Sequence, residues 1–169
     1  MFRYFLSSSL ILLCMSLLEN AVLANLTFMP AIPDLSLLCL IFFAIHNGTL
    51  CGESSGFISG LMLDFFSAGP FGINCLFRTL IGYVLGLFNK LINTEGFLVP
   101  LVLGFSATIF KAVLLFLISI LYPNALLRFN PFSWSFLFQL IFNTVLAPFI
   151  FMFLNLFKKS LILKPETNI

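Results

Sequence analysis

Long apolar runs, separated by short polar or proline-containing breaks, follow one another along the whole chain. A helix needs about 20 apolar residues to cross a bilayer core, with a lower limit near 17. Four runs of that order predict membrane helices at residues 4–24, 71–91, 97–122 and 132–157. A further apolar stretch lies between the first two of these runs, and polar residues interrupt it near its middle. This stretch predicts two short spans, 34–47 and 51–67, joined by a tight turn. The sequence therefore predicts an all-α polytopic membrane protein with about six transmembrane helices.

The side of the membrane on which the termini lie follows from the number of spans and the flanking charges. The short second and third spans either cross fully or form a re-entrant hairpin, so the number of crossings is six or four, and even in both cases. On the side of the termini lie five basic residues: Arg3, Lys90, Lys158, Lys159 and Lys164. The other side has Arg128 alone. The positive-inside rule then predicts cytoplasmic termini and a basic cytoplasmic tail at residues 158–169.

The first apolar run could also be a cleavable signal peptide, since Arg3 precedes it and Val22-Leu23-Ala24 resembles a cleavage site. Glu19 interrupts the end of this run, and the apolar length approaches that of a full span. We therefore expect a retained first helix. Cleavage would leave the orientation of the remaining spans unchanged.

Composition supports a membrane protein and excludes several other classes. The chain has 169 residues, of which 61% are hydrophobic and 8% charged, whereas about a quarter are charged in a typical soluble domain. Its mean hydropathy is +1.16. The lysines and arginines form no patch, so no nucleic-acid partner is expected, and the bilayer itself is the predicted environment.

Three ionisable residues, Asp64, Arg78 and Lys111, lie well inside predicted helices. Each costs roughly 2.5–3.5 kcal/mol near the membrane centre unless it finds a partner or water. Asp64 and Arg78 flank the turn at residues 67–70 at depths that differ by about one helical turn. We predict an ion pair between them. A structural lock between two helices is the favoured interpretation, and a substrate or ion site is the alternative.

Glycines at four-residue spacing accompany both of these charges. The rows are Gly52, Gly56 and Gly60 before Asp64, and Gly82 and Gly86 after Arg78. Small residues at this spacing let two membrane helices approach closely. The third and fourth spans are therefore predicted to form a tightly packed hairpin.

The remaining polar residues have several candidate roles. Lys111 could join the Asp64–Arg78 network, face Gln139 and Asn143 of the sixth span, or bind another protein. Gln139 and Asn143 are four residues apart and share one helical face, which favours hydrogen bonds between helices. Glu19 and Asp34 lie near the outer ends of their spans and are interpreted as boundary charges.

No catalytic or metal-binding pattern emerges from the residues. His46 is the single histidine, and the four cysteines are scattered without a CxxC pair, so a zinc site is not expected. The sequence also shows no pattern for a nucleophile with its base, for two facing carboxylates or for a nucleotide-binding loop. We predict that the protein is not an enzyme and uses neither metal nor cofactor.

One stretch resembles a known family. Pro33-Asp34 opens a short span, Gly52-xxx-Gly56-Phe57-xx-Gly60-Leu61-xx-Asp64 follows, and Gly72 and Arg78 come after a turn. This block is similar to the core of the bacterial rod shape-determining protein MreD family. The resemblance implies a non-enzymatic subunit of the cell-elongation machinery in the bacterial cytoplasmic (inner) membrane. It further implies binding to the bitopic protein MreC, and contact with MreB, RodA and the transpeptidase partner of RodA, as the machinery organises peptidoglycan synthesis.

The same family is similar in fold to the substrate-binding S components of energy-coupling-factor vitamin transporters, which provides an alternative function. An S component needs an outward-opening cavity lined by polar groups from several spans. Few polar residues are available here and the outer loops are short. No small-molecule substrate is therefore expected.

Overall fold

A computed structural model of the protein describes residues 2–25, 30–67, 70–92, 94, 96–121 and 133–162. This part of the chain is all-α. The helices are α1 (Phe2–Leu17), α2 (Leu35–Asn47), α3 (Thr49–Phe66), α4 (Ile73–Leu87), α5 (Leu98–Leu121), α6 (Trp134–Leu156) and the short α7 (Lys158–Leu161). A π-helical turn, Leu18–Val22, and a 3-10 turn, Leu23–Asn25, extend α1. The prediction of an all-α membrane protein with about six main helices and short second and third ones is confirmed: α2 has 13 residues and α3 has 18, against 24 in α5 and 23 in α6.

Three of the described helical segments are long and apolar enough to cross a bilayer: Tyr4–Asn25, Leu98–Ile120 and Trp134–Leu156. Helices α2 and α4 are apolar but shorter. With 13 residues, α2 is about 20 Å long, whereas the hydrocarbon core is about 30 Å thick. The chain is therefore a multi-pass membrane protein in which at least one helix cannot reach both interfaces.

Helix α2 forms the centre of the bundle. Residues 37–44 are completely buried, and α2 packs against α1, α3, α4, α5 and α6. A helix that is apolar on every side needs such an enclosed position. Because α2 is both central and short, its first turn lies within the bundle, where its backbone N–H groups require partners.

The hairpin of α3 and α4 is held at backbone contact by glycines. Gly52 lies against Gly82, and Gly56 lies against the backbone of Arg78. A Cβ atom added to Gly56 would come within 2.8 Å of the carbonyl carbon of Arg78, and one added to Gly60 within 2.6 Å of the backbone oxygen of Asn74. Gly86 faces Thr49 in the same way. The five predicted packing glycines thus all lie at this interface, where an added methyl group would collide with backbone.

We predict that Gly56→Ala destabilises the protein by roughly 1–3 kcal/mol, because overpacking an interface that cannot widen has a cost of this size. Leu87→Ala on α4 is the matched control, since Leu87 is 54% exposed and lipid tails replace its contacts. Thermal unfolding in detergent measures both variants. Equal unfolding temperatures would contradict the backbone contact.

Candidate functional site

Asp34 is the centre of a buried polar network at the start of α2. Its side chain caps the helix by accepting a hydrogen bond from the backbone N–H of Leu37 at 3.0 Å. Its Oδ1 accepts a hydrogen bond from Arg78 Nη2, and its Oδ2 one from Lys111 Nζ at 2.5 Å. Asp34 is 5% exposed, Arg78 0% and Lys111 15%. One carboxylate therefore joins α2 to cations on α4 and α5.

Glu19 adds a second carboxylate to the network. It lies in the π-helical turn after α1 and is 5% exposed. Its carboxylate accepts hydrogen bonds from the backbone N–H of Ser36 at 2.5 Å and from the Ser36 hydroxyl at 3.1 Å. Arg78 Nη1 in turn donates to Ser36 Oγ at 2.8 Å. Glu19 and Asp34 balance Arg78 and Lys111 in formal charge. Both carboxylates lie at the N-terminus of α2, the helix end that favours negative charge.

Helix α6 closes the network through Asn143, which is completely buried. Asn143 Oδ1 accepts a hydrogen bond from the backbone N–H of Asp34 at 2.8 Å, and its Nδ2 donates to Thr108 Oγ1 at 3.1 Å. One turn earlier, Gln139 Nε2 donates to the backbone oxygen of Ile32 at 3.0 Å. Both amides therefore hold the segment that leads into α2, and the network links α1, α2, α4, α5 and α6.

The predicted ion pair between Asp64 and Arg78 is wrong. The carboxylate of Asp64 accepts four hydrogen bonds from the start of α4: from the backbone N–H groups of Gly72, Asn74 and Cys75, at 2.9 to 3.1 Å, and from Asn74 Nδ2 at 2.9 Å. Helix starts have free N–H groups that a carboxylate satisfies well. Arg78 lies more than one turn after the start of α4, and its guanidinium points towards Asp34 at the start of α2. A prediction that considered only the α3–α4 hairpin could not include this partner.

The interpretation of Glu19 and Asp34 as boundary charges is also wrong, since both are 5% exposed. The error has a physical cause: α2 is too short to span the bilayer, so its start, with Asp34, can lie inside the bundle. Two local signals were available. Asp34 directly precedes the apolar helix, as a capping residue does, and Ser36 follows within the first turn.

Lys111 binds the network through Asp34, and Asn143 belongs to the same network, while Gln139 bonds to Ile32. In the part of the chain that the structure describes, no group of three histidine, cysteine or acidic side chains is arranged to hold a metal ion. Buried ions offset their desolvation only by close pairing. The arrangement of the described residues is thus suited to fixing five helices relative to one another.

We predict that Asp34→Asn destabilises the protein by about 3–5 kcal/mol, because it leaves Arg78 and Lys111 buried without a counter-charge. Lys111→Met is the control: it retains the Asp34–Arg78 pair and should have a smaller effect. Unfolding in detergent measures both. If the free energies of unfolding of Asp34→Asn and of the wild type agree within about 0.5 kcal/mol, the network does not stabilise the bundle.

A separate prediction concerns Asp64. We expect Asp64→Ala to cost about 1–3 kcal/mol, because donors at the start of α4 lose their acceptor, and Asp64→Asn to cost less because an amide oxygen remains. The exchange Asp64→Arg with Arg78→Asp should be at least as unstable as either single change. If that exchange recovered stability, the result would support a direct Asp64–Arg78 ion pair and contradict the hydrogen bonds described here.

A comparison with known families gives a match over most of the chain. A family model described as rod shape-determining protein MreD matches residues 2–157. No significant match was found among curated proteins or among solved structures. The match includes every residue of the polar network and the whole α3–α4 hairpin. The chain therefore belongs to the MreD family of rod shape-determining membrane proteins.

Proposed function

We propose that this chain is the non-enzymatic membrane scaffold of a cell-elongation machinery and binds an MreC-like bitopic protein through its helix faces. Membership of the MreD family supplies the role in rod-shape determination. The proposal adds the direct partner. MreB, RodA and its transpeptidase, which the sequence resemblance implies, would be contacted within the same assembly.

The observation that carries the proposal is the direction in which the polar side chains face. Asp34, Arg78, Lys111 and Glu19 all bond inside the bundle, so they fix its shape. The outward faces of α1, α3 and α4 are largely apolar by contrast. Their exposed side chains include Leu6, Leu10, Leu50, Phe57, Leu76 and Leu80. A rigid bundle with apolar sides is suited to binding another membrane helix, since such association depends on packing between preformed helices.

We also propose that both termini lie in the cytoplasm. Lys90 follows α4, and Lys158 follows α6 and begins α7. Helices α4 and α6 run in the same direction as α2, so these basic residues lie at the same end of the bundle. The positive-inside rule assigns that end of the bundle to the cytoplasm.

The alternative, a vitamin-binding S component, has less support. Such a subunit needs polar side chains from several helices that remain available to a ligand. Here Asp34, Asn143 and Arg78 come from three helices but hydrogen-bond to partners within the bundle. Their groups therefore support helix packing rather than recognition of a small molecule.

We expect the full-length chain, fused at its C-terminus to green fluorescent protein, to co-purify with the co-expressed MreC homologue of the same bacterium from detergent-solubilised membranes. The physical reason is helix packing between apolar faces. An unrelated single-span protein of similar length is the control for non-specific detergent association. Fluorescence of the fusion reports the orientation, because the fluorophore matures in the cytoplasm.

Three outcomes would count against the proposal. Failure to recover the MreC homologue would remove the direct partner. Recovery of an ATPase module, or of a retained vitamin, would favour the transporter subunit. A non-fluorescent fusion that is nevertheless intact would place the C-terminus outside.

A further inference from the structure

Glu53 differs from the other acidic side chains inside the described helices. Asp34, Asp64 and Glu19 accept hydrogen bonds from named partners. Among the residues that the structure describes, the carboxylate of Glu53 has neither a hydrogen bond nor an ion pair. Glu53 is the fifth residue of α3 and is only partly exposed. An ionisable side chain at such a position has a cost unless a partner or water receives it.

The surroundings of Glu53 form a shallow groove of about 460 Å³ between α1, α3 and α4. Leu50 and Phe57 project beside it and are 75% and 52% exposed. Ser54 and Thr79 lie in the groove with the carboxylate, and Phe5 closes it on the α1 side. Leu50, Ser54 and Phe57 follow the spacing of a single helix face. The groove is thus apolar at its edges, small and polar at its floor, and acidic at one point.

This face of α3 is distinct from the face that packs inside the protein. Gly52 and Gly56, on either side of Glu53 in sequence, both lie against the backbone of α4. The α3–α4 contact therefore cannot supply a cation to Glu53, and the groove opens to the outside of the bundle. A partner helix can reach Glu53 from that side.

The chemistry of the groove identifies the kind of occupant. Small side chains such as Ser54 and Thr79 allow a second helix to approach closely. Membrane helices carry lysine or arginine at their cytoplasmic ends, and Glu53 lies one turn from the end of α3 that the proposed orientation places at the cytoplasm. A transmembrane helix with a basic residue at that end complements both the shape and the charge.

We infer that this groove is the docking site for the transmembrane helix of a single-span partner, whose cytoplasmic basic residue pairs with Glu53. The inference rests on the proposed function, because it uses both the scaffold role and the cytoplasmic orientation. It adds the surface, the residue and the charge of the partner, which the family assignment does not provide.

The test is co-purification of the full-length chain with the full-length MreC homologue of the same bacterium. Glu53→Lys should lower recovery of the partner by roughly tenfold or more, since it replaces an attraction of about 1.4 kcal/mol or more by repulsion. Changing the basic residue that flanks the partner's membrane helix to glutamate should restore recovery with Glu53→Lys. Val102→Lys is the depth-matched control, because Val102 is the fifth residue of α5 and 59% exposed.

A second measurement does not depend on the stability of Glu53→Lys. A photo-crosslinking benzoylphenylalanine at position 57 should capture the MreC homologue, and the same group at position 102 should not. Unchanged recovery with folded Glu53→Lys, or capture of a second copy of this chain or of lipid alone at position 57, overturns the docking site. If the wild type recovers no MreC homologue, the proposed function fails too, whereas recovery without dependence on Glu53 removes the groove assignment alone.

Discussion

The fold depends on one buried carboxylate at the start of a short central helix. A helix that begins inside an apolar bundle leaves its first N–H groups without water. Asp34 accepts from Leu37, Glu19 accepts from Ser36, and Asn143 accepts from Asp34 itself. The acids that satisfy these groups then need counter-charges, which Arg78 and Lys111 provide. The polar network therefore makes it possible for α2 to begin inside the bundle.

The glycine contact and the polar network are linked through Arg78. Its backbone lies against Gly56 of α3, so no space remains for its side chain between α3 and α4. The guanidinium reaches α2 instead, where it meets Asp34 and Ser36. Close packing of one helix pair thus directs a cation towards a third helix. Loosening the hairpin would disturb the network even though no glycine takes part in it.

Local patterns predicted the helices and the tight hairpin, because run length and four-residue spacing are properties of adjacent sequence. The choice of partner for Arg78 was not predictable in the same way. Asp64 lay within reach by depth, whereas Asp34 was assigned to the outer boundary, and depth along a helix does not indicate which helix is opposite. The deciding fact is the central position of α2, which arises from contacts between residues far apart in sequence. The local signals were the capping position of Asp34 and the nearby Ser36, and they indicate a helix start without indicating its burial.

These features bear on how the proposed scaffold would select a partner. An apolar helix face distinguishes poorly between a protein helix and lipid tails, which are equally apolar. Selectivity then has to come from shape or from charge. Asp34, Asp64, Arg78 and Lys111 are engaged within the chain, so they cannot recognise a partner without weakening the fold. A carboxylate outside the network, in a groove with a small polar floor, can provide recognition while the internal lock remains intact. Separation of the two roles would allow the proposed partner-binding surface to change without altering the buried network.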